Sequence, residues 1–273
     1  MTSRRIDLDD MRIHYLEWGD AGAPPLVLLH GIARCAHAFD HLAPHFADRY
    51  RVLSIDLRGH GDSGRDAGGN YLVEDYVRDV EGLIDRLGLK DVVLWGTSTG
   101  GRVAQMIAGR RPELVRAVIV EDVGPERPKE ISNRRANRMG LEENGWASRE
   151  ELLAKVRTDN PRWLESVARN LVEHAARERE DGRVVWKRDP AILKGFVPTE
   201  LWDTVKKIRA PIVYILGGAS TIVPQHTQDE LKAALPQVEI VTMPGLGHYP
   251  SDEDPAGFLE IVDEFLARQN QKH

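Results

Sequence analysis

The chain has 273 residues, 41% hydrophobic and 29% charged, with a net charge of −6 at pH 7, enough to bury a full core. The acidic balance, without a basic tail or block, disfavours nucleic acid or an anionic membrane as the main partner. The longest apolar runs are strand-sized, well short of the ~20 residues that span a bilayer. One cysteine, Cys35, rules out an internal disulfide, and with no secretory pattern at Met1–Asp7 the expected address is cytoplasmic.

In chain order, Met11–Trp18 alternates apolar and polar residues and predicts a half-exposed antiparallel edge strand. Leu26–Leu29, Val52–Ile55 and Val92–Trp95 are continuous apolar runs, as expected of parallel strands covered on both faces. Between the last two, a helix is predicted over Leu72–Leu87, capped by Asn70 and ended by Gly88. Val115–Val120, Ile212–Leu216 and Val238–Met243 predict three further strands, with helices at Arg102–Arg110, Gln225–Leu235 and Pro255–Ala267. Such alternation implies an α/β class with a mainly parallel, doubly wound sheet.

Residues 125–207 break the rhythm. They are rich in Arg and Glu, punctuated by prolines, and strand-like only at Arg183–Trp186. Two segments, 1–124 and 208–273, are therefore expected to form the core domain. The intervening 125–207 are expected to form a helical cap over the carboxyl edge of the sheet, where open α/β sheets bind ligands.

Gly96-Thr97-Ser98-Thr99-Gly100 lies between a predicted strand and a predicted helix, the context that a nucleophile elbow requires. A sharp turn there exposes the serine oxygen and aims a helix N-terminus at a developing oxyanion. His30-Gly31-Ile32 follows the Leu26–Leu29 strand; the Ile32 N–H, with that of Thr99, is the expected oxyanion hole. Gly245-Leu246-Gly247-His248 follows the last strand, and its glycines let a tight loop bring His248 to the serine as general base and then acid. His60, in the polar loop Asp56–Ser63, is read as structural, and Cys35 as buried and inert.

Taken in order, His30-Gly31, Asp56-Leu57-Arg58-Gly59-His60-Gly61, the elbow and Gly247-His248, with the trailing Glu253 and Pro255, resemble the α/β-hydrolase superfamily, in its branch of esterases, lactonases and C–C hydrolases. The resemblance implies a mostly parallel eight-stranded sheet flanked by helices and a helical cap. It also implies hydrolysis through an acyl-enzyme and no cofactor. The family's usual acid site, before Ile222-Val223-Pro224, reads Gly217-Gly218-Ala219-Ser220-Thr221 and has no carboxylate. Either the triad is broken, or its acid comes from the end of the preceding strand, a position that resembles the one used in zearalenone lactonase and acetamidomethylene-succinate hydrolase. Strand alternation turns only one of Glu121 and Asp122 toward the histidine. Asp122 is chosen, with Glu121 as the alternative.

A substrate carboxylate could be gripped by a cap arginine, and Arg34 and Arg138, with Trp163 and Trp202, are named as substrate-binding candidates. No His/Cys/Asp cluster shows metal-ligand spacing along the chain. The leading expectation is a serine hydrolase of a small ester, lactone or amide, as monomer or homodimer. A C–C bond hydrolase using the same Ser98 and His248, and a non-catalytic small-ligand receptor, are the alternatives.

Overall fold

A computed structural model describes residues 1–127, 130, 133, 142 and 144–270. Eight strands form one sheet: β1 Thr2–Asp7, β2 Arg12–Trp18, β3 Pro25–Leu29, β4 Arg51–Ile55, β5 Val92–Thr97, β6 Val115–Glu121, β7 Ile212–Gly217 and β8 Val238–Met243. Their spatial order is β1-β2-β4-β3-β5-β6-β7-β8. Pairing from β4 to β8 is parallel, and β2 is antiparallel to both neighbours. The predicted α/β-hydrolase fold with a mostly parallel eight-stranded sheet is what the chain adopts.

The continuous apolar runs became central strands because both faces are covered. On one face lie α1 (Val73–Arg86), α2 (Thr99–Arg110) and the helix Gln225–Ala234, packed through Val77, Val103, Ile107 and Leu231. The other face carries the C-terminal helix Pro255–Asn270 and two short 3₁₀ turns, with Trp95 stacked on Phe258 at 5.3 Å between ring centres. Among the described residues, no helix is long and apolar enough to cross a membrane.

Two sequence expectations need correcting. Arg12–Trp18 is not the edge: β1, polar and almost wholly exposed, pairs outside it, and β2 is buried from Ile13 to Trp18. Its polar residues are tolerated there because they are paired. His14 Nδ1 meets Asp56 Oδ2 at 2.6 Å, and Glu17 is held by Arg4 and by Arg51 Nε. The helix predicted from Asn70 starts at Val73. Asp75, not Asn70, secures its N-terminus by accepting the Leu72 N–H at 2.9 Å, while Asn70 is tied to Asp66.

Between β6 and β7 the chain leaves the sheet. This excursion holds the helices α3 (Arg149–Asp159) and α4 (Glu165–Ala175), a hairpin Ala176–Glu178/Val184–Trp186, and a short pairing of Glu126–Arg127 with Thr199–Glu200. Leu152, Val156, Ala168 and Val172 give it an apolar cluster of its own, which also takes in Cys35 from the core. The Cys35 thiol is buried and burial pushes its pKa up, as expected of an inert residue.

Candidate active site

Ser98 sits between β5 and α2 with φ 52° and ψ −114°, a conformation L residues hold only where surroundings enforce it. Close packing explains the glycines on either side. A Cβ at Gly96 would lie 2.2 Å from the Gly100 carbonyl oxygen, and one at Gly100 would lie 2.0 Å from that of Leu29. The Ser98 N–H donates to Glu121 O at 3.1 Å, tying the elbow to β6.

Strand register delivers the carboxylate. Thr97 pairs with Glu121, so Ser98 and Asp122 follow at the carboxyl ends of neighbouring strands. Asp122, itself at φ 44°, is 1% exposed and donates its N–H to Ile215 O of β7. Its side chain accepts three hydrogen bonds: Oδ2 from His248 Nδ1 at 2.7 Å and Ser220 Oγ at 2.5 Å, and Oδ1 from Gly217 N at 3.1 Å. The hydroxyl standing in the family's usual acid position is thus an anchor for Asp122. Glu121 points elsewhere, fully buried. It accepts from Thr97 Oγ1 and from Ser251 N at 3.0 Å, and burial, then the nearby Asp252, push its pKa up.

The loop before Ile32 is fixed by a neutral histidine. His30 Nδ1 hydrogen-bonds Gly31 O at 2.8 Å, while Nε2 accepts the Leu57 N–H at 3.1 Å; burial lowers its pKa to about 4. A Cβ at Gly31 would lie 3.3 Å from Ser98 Cβ and 3.7 Å from the Tyr249 ring, so loop, elbow and the neighbour of His248 converge there. His60, packed edge-on against His30 at 5.1 Å, is buried and lowered to about 3, foremost by burial, and its Nδ1 hydrogen-bonds Arg58 O at 2.9 Å.

The substrate-binding candidates fare differently. Arg34 is buried, with Nη1 and Nη2 both on Asp252 (Nη2–Oδ1 3.2 Å), between the rings of Trp163 (4.8 Å) and Tyr249 (5.0 Å). With Trp163, Ile32, Trp146, Trp186 and Tyr249 it lines a cavity of about 60 Å³ under the excursion. Trp202 is drawn away: its Nε1 donates to Glu126 at 3.0 Å. Arg138 lies outside the described residues. A second cavity, about 220 Å³, runs past His248 between Asn160, Arg162 and Trp163 on one side and Tyr249 and Glu253 on the other.

Among the described residues one group could hold a metal: His37, Asp40 and His174, whose ligand atoms lie within 4.8 Å of one another. Spacing along the chain conceals it, because His174 comes from α4 while the other two lie by a core turn. His37 and His174 are stacked at 3.6 Å.

Residues 26–261 match the model of the alpha/beta hydrolase family. The chain belongs to this family. It is 30% identical over 273 residues to a 3-hydroxybutyrate-oligomer hydrolase of Cupriavidus necator, covering 93% of this chain and 92% of that one. It is also 29% identical over 272 residues to the sn-1-specific diacylglycerol lipase ABHD11 of Mus musculus, covering 91% and 83%. The solved E-2-(acetamidomethylene)succinate hydrolase superposes with a TM-score of 0.90 at 24% identity, over 97% and 99% of the chains, a likeness of fold. Its named relatives are hydrolases and esterases, and this family member is a hydrolase.

Proposed function

We propose that the chain is a serine hydrolase cleaving a small ester, lactone or amide through an acyl-enzyme, with Ser98, His248 and Asp122 as its triad. The observation that carries this reading is the 2.7 Å hydrogen bond between His248 Nδ1 and Asp122, beside a serine in the strained elbow conformation. With Nδ1–H held by a carboxylate, Nε2 is the basic nitrogen, free to take the Ser98 proton as Oγ attacks the carbonyl carbon. The oxyanion is received by the Ile32 and Thr99 N–H groups, aided by the N-terminus of α2. Collapse expels the leaving group with the proton from His248. Water, deprotonated by the same nitrogen, then attacks the acyl-enzyme and frees Ser98.

The helical excursion acts in this reading as a cap that closes the site and excludes water. The leaving group departs through the cavity past His248, and Trp163 with Arg34 shapes the wall between the two cavities. A fluorophosphonate probe tests the nucleophile. One adduct per chain is expected by intact mass, absent in Ser98→Ala; an adduct that persists in the variant refutes the assignment.

A further inference from the structure

Arg127, on the short strand just beyond β6, is nine-tenths buried and has no ion-pair partner among the described residues. Its one side-chain hydrogen bond among the described residues, Nη1 to Val197 O, is 3.4 Å long, and its guanidinium lies 4.0 Å from the centre of the Phe196 ring. A second buried cation, Arg102, stands close by, its terminal nitrogens spent on the Gly124, Pro125 and Thr199 carbonyls and the Thr199 hydroxyl. Burial lowers Arg127 to about 10. Burial, and after it repulsion from Arg127, lowers Arg102 to about 9. A buried charge without a counter-charge is costly, and unlike Arg102, Arg127 has only one long carbonyl contact among the described residues to offset it.

Two further polar groups beside Arg127 are unsatisfied. The Tyr76 hydroxyl and Thr99 Oγ1 are buried without a hydrogen-bond partner among the described residues. Both line the same narrow cleft as Arg127, together with Ile32 and Phe196. A guanidinium with one long hydrogen bond and two hydroxyls with none among the described residues thus border one space, which begins at the two residues proposed to hold the oxyanion. Among the described residues, none that lines the His248 cavity lines it, so the two spaces are distinct, and with the leaving group assigned to the His248 cavity this cleft is left for the acyl chain. The cleft is narrower than a water molecule as it stands, so an occupant must displace the Phe196 ring from the guanidinium.

We infer that this cleft binds a carboxylate on the acyl chain of the substrate, with Arg127 as its cationic partner and the Tyr76 and Thr99 hydroxyls as further donors. The substrate class is then a monoester or monoamide of a short dicarboxylic acid. This rests on the serine-hydrolase reading for the word substrate, but the anion site itself does not.

Two measurements separate them. In calorimetric titrations with glutarate, wild type and Ser98→Ala bind alike and Arg127→Met binds at least about tenfold more weakly, the loss of one charge-assisted pair. Arg127→Lys, which keeps charge but not the fork, falls between, and Tyr76→Phe weakens binding a few-fold (about 3-fold); these two variants carry the test if Arg127→Met does not fold. In turnover, wild type prefers 4-nitrophenyl hemiglutarate to the neutral 4-nitrophenyl pentanoate, and the ratio of kcat/KM drops at least about tenfold in Arg127→Met. A wild type that does not bind glutarate, or a ratio that Arg127→Met leaves unmoved, overturns the carboxylate site. Hydrolysis of neither ester sinks the hydrolase reading instead, and glutarate binding then still decides the anion site.

Discussion

Replacing Asp122 by Asn changes one atom and sets three hydrogen bonds against each other. All three neighbours donate: His248 Nδ1–H and the Ser220 hydroxyl to Oδ2, and the Gly217 N–H to Oδ1. An amide has one acceptor oxygen and one donor nitrogen. The Gly217 N–H cannot turn round, whereas the imidazole can change tautomer and the hydroxyl can rotate. The Asn oxygen therefore settles toward Gly217, and its NH₂ faces His248. Nδ1 must then accept, the proton moves to Nε2, and the nitrogen needed as base is blocked. An equivalent change in other triads costs about 10⁴ in kcat, or roughly 5.5 kcal/mol of transition-state stabilisation. The assay is kcat on a short-acyl nitrophenyl ester, with circular dichroism and thermal melting to confirm the fold. A folded Asp122→Asn enzyme within about tenfold of wild type refutes the tautomer argument and returns Glu121 to consideration.

Three further outcomes are expected. Ser220→Ala removes one charge-assisted hydrogen bond from Asp122 and should lower kcat by about 3- to 30-fold with a modest loss of stability; an unchanged kcat would mean that Gly217 and His248 alone suffice to hold the carboxylate. Gly100→Ala, whose Cβ would fall 2.0 Å from the Leu29 carbonyl oxygen, should lower Tm by about 5 °C or more and reduce labelling of Ser98; an unaltered Tm would refute the close approach. Stability should also fall in acid. His30 and His60 are lowered to about 4 and about 3 in the folded state, against about 6.5 unfolded, so the unfolded chain binds the extra protons. Their contribution is complete above pH 6.5 and is lost as pH falls toward 4, roughly 4 kcal/mol for the pair by pH 5. Urea midpoints at pH 7.5 and pH 5 measure this, and equal midpoints would contradict it.

What could be read in the chain was whatever burial writes locally. The central strands are continuous apolar runs because helices cover both faces, and Gly-x-Ser-x-Gly is visible because two close backbone approaches exclude any Cβ. β1 escaped notice for the opposite reason. Thr2–Asp7 buries almost nothing and is held by its ladder to β2 and the Arg4–Glu17 pair. His14 carries no local signal of its role, since its partner Asp56 is 42 residues away. Arg34 seemed poised for substrate, but Asp252, 218 residues on, occupies its terminal nitrogens. Arg127 had no signal at all, because a buried arginine is recognised only by the partners it lacks.

The position proposed for the acid illustrates the same limit and a way past it. In sequence, Asp122 and Ser220 are 98 residues apart and belong to different loops. In the sheet they end neighbouring strands, since Ile215 of β7 pairs with Glu121 of β6. Both ends therefore stand at one level beside the loop that carries His248, and a carboxylate on either can be presented to its Nδ1. A chain that moves the charge from β7 to β6 must still satisfy the lone pairs of a side chain that is 1% exposed, and the vacated loop is the structure nearest to do it. Gly217 N–H and the Ser220 hydroxyl supply those bonds. Strand alternation supplies the rest of the choice: it sends Glu121 to Thr97 and Ser251 and leaves Asp122 facing His248. A missing acid in the usual loop is then no sign of a broken site when that loop offers hydroxyl and backbone donors and the strand beside it ends in Asp.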